Sequence, residues 1–260
     1  MDIATLLGLL LGWGALIASL LIEGGHLGGY FNLPALVLVL GGTLGATLIG
    51  MPIKQLKLLP AILRQAILNK PVDAVDMMTT VTGYATRARR DGILALEEES
   101  KEAQSDFLRL GLELIVDGTP GELTREIMET ELDAMRARHR SGESIFSTLG
   151  GFAPTLGIIG TVMGLVNMLA NLSEPGEMGG AIANAFIATL YGVASANLIF
   201  LPIANKLKLR SQQEADSYQL AIEGLLAIQA GENPRSVAAR MRSFLSPTEK
   251  ARLTEVGANA

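Results

Sequence analysis

The chain has 260 residues and a formal net charge of −5; 49% of it is hydrophobic, 18% is charged and none is cysteine. The charged share falls below the roughly 25% of an ordinary soluble domain, and mean hydropathy is +0.35. The acidic balance excludes a broadly basic nucleic-acid binder, and the lack of cysteine excludes disulfides, thiolate metal sites and a cysteine nucleophile.

The first element, Ile3–Ile22, carries no charged side chain and is long enough to cross a bilayer as a helix. No basic leader precedes it, and Glu23-Gly24-Gly25-His26 does not resemble a small-residue cleavage site, so it reads as a retained first span. A glycine-rich turn leads to a second uncharged run at residues 27–53, predicted as a span starting near Pro34 and ending near Met51-Pro52. Residues 54–143 are charged. Within them 72–90 reads as a helix with Val75, Met78, Thr82 and Ala85 on one face. After a break at Arg89-Arg90-Asp91-Gly92, residues 93–116 resume helical periodicity. Asp117-Gly118-Thr119-Pro120-Gly121 is a turn. Residues 122–140 form another helix, with Leu123, Ile127 and Leu132 or Met135 on its buried side.

Two more uncharged runs follow, 144–173 and 178–205. Beyond them lie a predicted helix at 212–230, a Gly231-Glu232-Asn233-Pro234 stop, a short helix at 235–245 and a loosely ordered tail from Ser246. The fold class is therefore all-α: a polytopic membrane protein with four transmembrane helices and a helical insertion between spans two and three. The expected divisions are 1–53, 54–143, 144–205 and 206–260.

Lysine and arginine set the orientation. Lys54, Lys57, Arg64 and Lys70 follow span two; Arg136, Arg138 and Arg140 precede span three; Lys206, Lys208 and Arg210 follow span four. The turns at 23–26 and 174–177 contain neither residue. Both termini and the insertion are expected to be cytoplasmic.

No acid, lysine, arginine or histidine lies within the four runs. A chain that moves ions through hydrocarbon ordinarily needs an ionisable group at depth, so another chain would have to supply it. Spans three and four offer hydroxyls and amides instead: Thr155, Thr161, Asn167, Asn184, Thr189, Tyr191, Ser195 and Asn197. Such groups most often bond neighbouring helices or the preceding turn. Gly160 and Gly164, Gly41 and Gly45, and Ala188, Gly192 and Ala196 recur at the four-residue spacing of close helix contacts. Pro154 and Pro202 interrupt spans three and four towards their cytoplasmic ends, reading either as fixed kinks or as paired hinges. Arg87, Arg89 and Arg90 precede an acidic cluster at Glu97, Glu98, Glu99 and Glu102, by default a solvated face and alternatively a two-signed docking surface. No nucleophile–base pair, metal motif or phosphate loop is visible, His26 and His139 stand alone, and an enzyme is not expected.

These residues resemble the flagellar-motor stator A subunits (the MotA/PomA family), relatives of the ExbB/TolQ energisers. Ala88-Arg89-Arg90-Asp91-Gly92-Ile93-Leu94-Ala95-Leu96-Glu97 resembles the family's ARR-x-G-x-L-x-LE motif. Ala153-Pro154-Thr155-Leu156-Gly157-Ile158-Ile159-Gly160-Thr161-Val162-Met163-Gly164-Leu165 resembles its third span. Ala188-Thr189-Leu190-Tyr191-Gly192 with Pro202-Ile203-Ala204-Asn205-Lys206-Leu207 resembles its fourth, and Gly224 to Pro234 its tail helix and stop. The resemblance runs in order along nearly the whole chain.

It implies a channel-forming subunit of the bacterial cytoplasmic (inner) membrane. Five A chains would surround two B chains (MotB or PomB), each B chain bringing one helix with an ion-binding aspartate. Ion flow would turn the ring against the rotor protein FliG. Carried over, Arg89, Arg90 and Glu97 face the rotor, Pro154 and Pro202 are hinges, and Thr161, Thr189 and Tyr191 line the ion pathway. No permanent metal, cofactor or nucleic acid is implied; lipids surround the spans. A threonine at Thr161, matched by Thr189, resembles the sodium-driven branch, because hard hydroxyl and carbonyl oxygens replace sodium's water; the alternative ion is the proton. Other readings are an ExbB/TolQ-like energiser of an envelope machine, a secondary transporter and a structural scaffold.

Overall fold

The computed structural model describes residues 3–68, 72–103, 105–170 and 178–258. The predicted turn at 174–177 and Lys70 lie outside the described residues. All regular elements among the described residues are helices.

Helix α1 is Ile3–Ile22. Helix α2, Leu33–Gly50, starts where Asn32 caps it: Asn32 Oδ1 accepts the Ala35 N–H at 3.0 Å, and Pro34 occupies the first turn, where its missing donor costs nothing. A wide π turn at Val37–Gly41 lies within it. Short helices α3 (Ile53–Leu56) and α4 (Leu59–Leu68) follow. Helix α5, Ala74–Asp91, is capped by Asp73, whose Oδ1 accepts the Val75 N–H at 2.8 Å. Gly92, at φ +88°, ends it, a backbone conformation that side chains rarely tolerate.

Beyond Gly92 the single predicted helix at 93–116 is three pieces. They are a 3-10 turn at Ile93–Ala95, α6 (Leu96–Lys101) and α7 (Asp106–Val116). The restart at α7 has its own cap, Ser105 Oγ accepting the Leu108 N–H at 3.2 Å, and local capping outweighs apolar periodicity here.

Helix α8 is Gly121–Ala170 and α9 is Met178–Gln229. Each merges two elements predicted separately, a polar helix and an apolar span. The ladder of backbone hydrogen bonds does not register polarity, and no capping residue or break interrupts either helix at the change of composition. Helix α10 (Pro234–Arg242) begins at the Asn233 cap.

The tail expected to be loose forms α11, Pro247–Ala258. Ser246 and Glu249 build a capping box: the Ser246 N–H donates to Glu249 Oε2 at 2.8 Å and Ser246 Oγ accepts the Glu249 N–H at 3.4 Å.

The chain divides into two compact units. One comprises 1–70 and 140–208, the other 71–139 and 209–260. The first holds α1 to α4 and stretches of α8 and α9, and α1, α2, α8 and α9 are long and apolar enough to cross a membrane. Its packing centres on Ala35, Val39, Ile187 and Ala188 and on Ile145, Phe146, Leu149 and Ala204. The second buries Val81, Leu96, Leu112, Met128, Leu132, Leu225, Ile228 and Met241 in one core. On α8 the buried line there is Thr124, Met128, Leu132 and Met135, while Leu123 is 45% exposed, contrary to the sequence reading. A helix period of 3.6 admits either line; the core's position selects the one that includes the small Thr124.

Candidate ion-pathway and docking sites

Helices α8 and α9 touch through backbone rather than side chains. A Cβ placed on Gly157 would lie 2.8 Å from the Ala188 carbonyl oxygen and 3.0 Å from Thr189 Cα; one on Gly160 or Gly164 would lie 2.6 Å from Ala188 or Ala185 Cβ. The Ala153 carbonyl occupies the corresponding space at Gly192. The spacing of small residues thus does what its pattern predicts along Gly160, Gly164, Ala188 and Gly192. At Gly41 and Gly45 no atom of another described element lies within 4 Å of a Cβ position, so that pair makes no such contact among the described residues.

The close approach brings Thr161 and Thr189 together. Their Oγ1 atoms are 2.5 Å apart. Thr161 Oγ1 lies 2.9 Å from the Ala185 carbonyl oxygen, the acceptor one turn before Thr189. In return Thr189 Oγ1 reaches the Gly157 carbonyl oxygen, one turn before Thr161, at 3.3 Å; Thr161 Oγ1 also approaches that oxygen at 3.2 Å. The arrangement is reciprocal. Two hydroxyl and two carbonyl oxygens converge, all hard donors, with only two hydroxyl protons to share among them.

Tyr191 is placed differently. Its hydroxyl donates to the Tyr30 carbonyl at 2.5 Å and accepts the Asn32 N–H at 3.1 Å, tying α9 to the segment that caps α2. Of the three residues expected along one pathway, the structure brings together Thr161 and Thr189 and gives Tyr191 an anchoring contact on another face of the helix.

Pro154 lies inside α8, which stays helical through it. Pro202 follows a π turn at Ala196–Phe200, where the Leu201 N–H bonds the Ala196 carbonyl five residues back. The wide turn relieves the clash a proline ring makes with the preceding turn. Leu201 itself seats on Gly150 of α8, its Cγ 2.7 Å from the Cβ position there. Both prolines therefore sit within a turn of one helix crossing.

In the second unit the charged motif lies on α5, the Gly92 turn and α6. Arg87 is the paired arginine, bound to Glu98 at 2.6 Å and to Glu99. Arg90 chelates its neighbour Asp91 at 2.9 Å, and that guanidinium holds the Asp91 carboxyl below the usual carboxylate range. Glu97 bonds Lys101 at 3.0 Å. Arg89 is exposed. Between the charges Leu94 is 73% exposed, whereas Leu96 two residues on is fully buried.

Elsewhere in this unit Glu223 of α9 bonds Arg125 of α8 at 2.7 Å and approaches Arg240 of α10 at 3.5 Å. The Arg125 bond, opposed by burial and helped by Arg240, holds its carboxyl low. Burial and neighbouring Glu214 push the Tyr218 phenol up to about 12. His139 Nδ1 lies 3.3 Å from Ser211 Oγ and 3.8 Å from Glu214, a local contact rather than a metal site, and no metal-ligating cluster occurs among the described residues. Sequence reasoning missed the carbonyls of Gly157 and Ala185 and the Tyr30–Asn32 anchor. Only the run of small residues hinted at the first, and nothing local signals the second.

A model of the MotA/TolQ/ExbB proton channel family matches residues 99–220. Motility protein A of Bacillus subtilis is 34% identical over 258 residues, covering 99% of this chain and 96% of its own. Chemotaxis protein PomA of Vibrio alginolyticus is 35% identical, covering 96% and 98%. The flagellar MotAB stator complex from Bacillus subtilis contains a chain that superposes with a TM-score of 0.89 at 34% identity, over 96% of this chain and 98% of that one. With its four apolar helices and relatives of this length and identity, the chain is a polytopic membrane protein that belongs to the MotA/TolQ/ExbB proton channel family, a family of channel subunits and not of enzymes.

Proposed function

We propose that the chain is the A subunit of a flagellar stator in the bacterial cytoplasmic membrane. Five copies surround two B subunits, and each B subunit contributes the membrane aspartate that this chain lacks. The relatives named Motility protein A and PomA and the fold shared with a MotAB complex support that reading. Lysines and arginines just beyond α2 and at the polar ends of the apolar stretches of α8 and α9 support a cytoplasmic location for the termini and the second unit. There Arg89, Arg90 and Glu97, with bare Leu94 between them, meet the rotor protein FliG. Pro154 and Pro202 act as hinges at the α8–α9 crossing.

Sodium is the proposed coupling ion. The observation that carries it is the Thr161–Thr189 pair with the Gly157 and Ala185 carbonyls, an oxygen cluster able to replace part of sodium's hydration beside a borrowed carboxylate. Tyr191 supports that route by fastening α9 to the segment that caps α2. Proton coupling is the second reading, favoured by the family's description as proton channels.

The test is swimming speed in cells whose only stator is this chain with its B partner, as external sodium varies at constant pH and ionic strength. Speed is expected to rise and saturate with sodium, and Thr161→Ala to shift the half-saturating concentration upward by about tenfold or more, the loss of one charge-assisted oxygen contact. Speed indifferent to sodium and abolished by a protonophore would leave the hydroxyl pair a packing strap and make the proton the ion.

A further inference from the structure

After α2 ends at Gly50, the chain folds into the two short helices α3 and α4. Their inner side is packed: Leu56, Leu59 and Ile62, with Met51, lie against the cluster of Ile145, Phe146 and Leu149 of α8 and Ala204 of α9. Ile62 Cδ1 is 3.3 Å from the Cβ position of Gly142. A helix that covers a core in water turns polar residues outward. This elbow turns apolar ones outward as well. Its outer side presents Ile53 at 62%, Leu58 at 55% and Leu63 at 37% exposure, interspersed with exposed Lys54, Lys57 and Arg64.

The charge is one-sided. No aspartate or glutamate occurs from residue 24 to residue 72, and none of the three cations forms an ion pair with a described residue. A surface in contact with water and protein would ordinarily interleave both signs. Apolar side chains alternating with unpaired cations, directly beyond an apolar helix long enough to cross a membrane, match the boundary between acyl chains and headgroups.

We propose that the α3–α4 elbow is a binding surface for acidic phospholipids. Lys54, Lys57 and Arg64 hold the phosphate-bearing headgroups, while Ile53, Leu58 and Leu63 enter the acyl boundary. Phospholipid rather than a protein segment is the occupant, because an acidic protein partner would leave those three apolar side chains to be covered separately. The inference rests on the membrane placement in the preceding reading and on neither the rotor nor the coupling ion.

The experiment uses the full chain with its B subunit, purified and placed in nanodiscs of phosphatidylcholine with graded phosphatidylglycerol. Lipids retained after mild detergent extraction are counted by mass spectrometry. Wild type is expected to retain phosphatidylglycerol severalfold above its share of the disc, less so in high salt. The preference is expected to fall in each of K54Q, K57Q and R64Q, to reach the disc's own share when all three are combined, and to persist in K54R/K57R. The side chains are exposed and unpaired, so subunit composition in the same spectra should stay unchanged. No enrichment in wild type, equal enrichment in the triple glutamine variant, or a photoreactive group at Leu58 labelling protein instead of lipid would each overturn the proposal. A chain absent from the discs would instead overturn the membrane placement, and the proposal with it.

Discussion

At the scale of single residues, what decides a position in this chain is how close another backbone comes. Gly157 and Gly83 are both helical glycines, yet they differ sharply. A methyl on Gly157 meets the Ala188 carbonyl oxygen at 2.8 Å, and backbone cannot swing away as a side chain does. Gly157→Ala is expected to destabilise by about 2 kcal/mol through overpacking and to separate the Thr161 and Thr189 hydroxyls. Gly83, inside α5, has nothing within 4 Å, so Gly83→Ala should stabilise by about 1 kcal/mol through helix propensity alone. Thermal melts of the two full-length variants in the same detergent check the opposite signs. The residue types at both sites were legible in sequence; which glycine faces a backbone was not, because that depends on a helix 28 or more residues away along the chain.

At the scale of elements, α9 serves as strut and tether at once. Tyr191 fastens it to the Tyr30 carbonyl and the Asn32 N–H, and Asn32 in turn caps α2. Tyr191→Phe removes both partners and leaves two backbone groups unmatched, a loss of about 2 kcal/mol. Hydrogen exchange should quicken at the Asn32 and Ala35 amides and stay unchanged around Thr161. Faster exchange at both places would mean that the anchor and the hydroxyl pair act as one unit. The helix ends show why element boundaries were only partly readable. Pro34 and the Gly231 stop carry local signals and fell where expected. The Ser246–Glu249 capping box carries one too, but the polar, weakly periodic residues around it read as tail. Where composition changes inside α8 and α9 there is no local signal to stop a helix, and polarity alone was mistaken for one.

For the molecule as a whole, the second unit is held by an apolar core and by charge across three helices. Arg125 of α8, Glu223 of α9 and Arg240 of α10 converge, and the Glu223 carboxyl is held below its ordinary range, chiefly by Arg125. A depressed carboxyl stabilises the fold above its unfolded pKa of about 4.3, and that stabilisation disappears as pH falls through the lower folded value. The full chain in detergent should therefore lose about 1 kcal/mol on acidification below about pH 4, after allowance for the partly solvated Arg125. Glu223→Gln should lower stability by a similar amount at neutral pH and flatten its acid dependence, as melting temperature against pH would record. An unchanged acid dependence in Glu223→Gln would assign the effect to the other carboxylates.

The sequence by itself determined that four helices are apolar enough for a membrane, that no ionisable group lies within them, and that an uneven lysine and arginine distribution accompanies them. These are additive properties of composition along the chain, and burial in lipid depends on little else. The tertiary structure alone decided that Thr161 and Thr189 share each other's carbonyls, that Tyr191 is an anchor, and that Arg87 rather than Arg89 is the arginine tied to the acidic cluster. Those are pairwise facts. They exist only when small residues let two helices meet at contact distance, and no periodicity within either helix records which register the pair adopts.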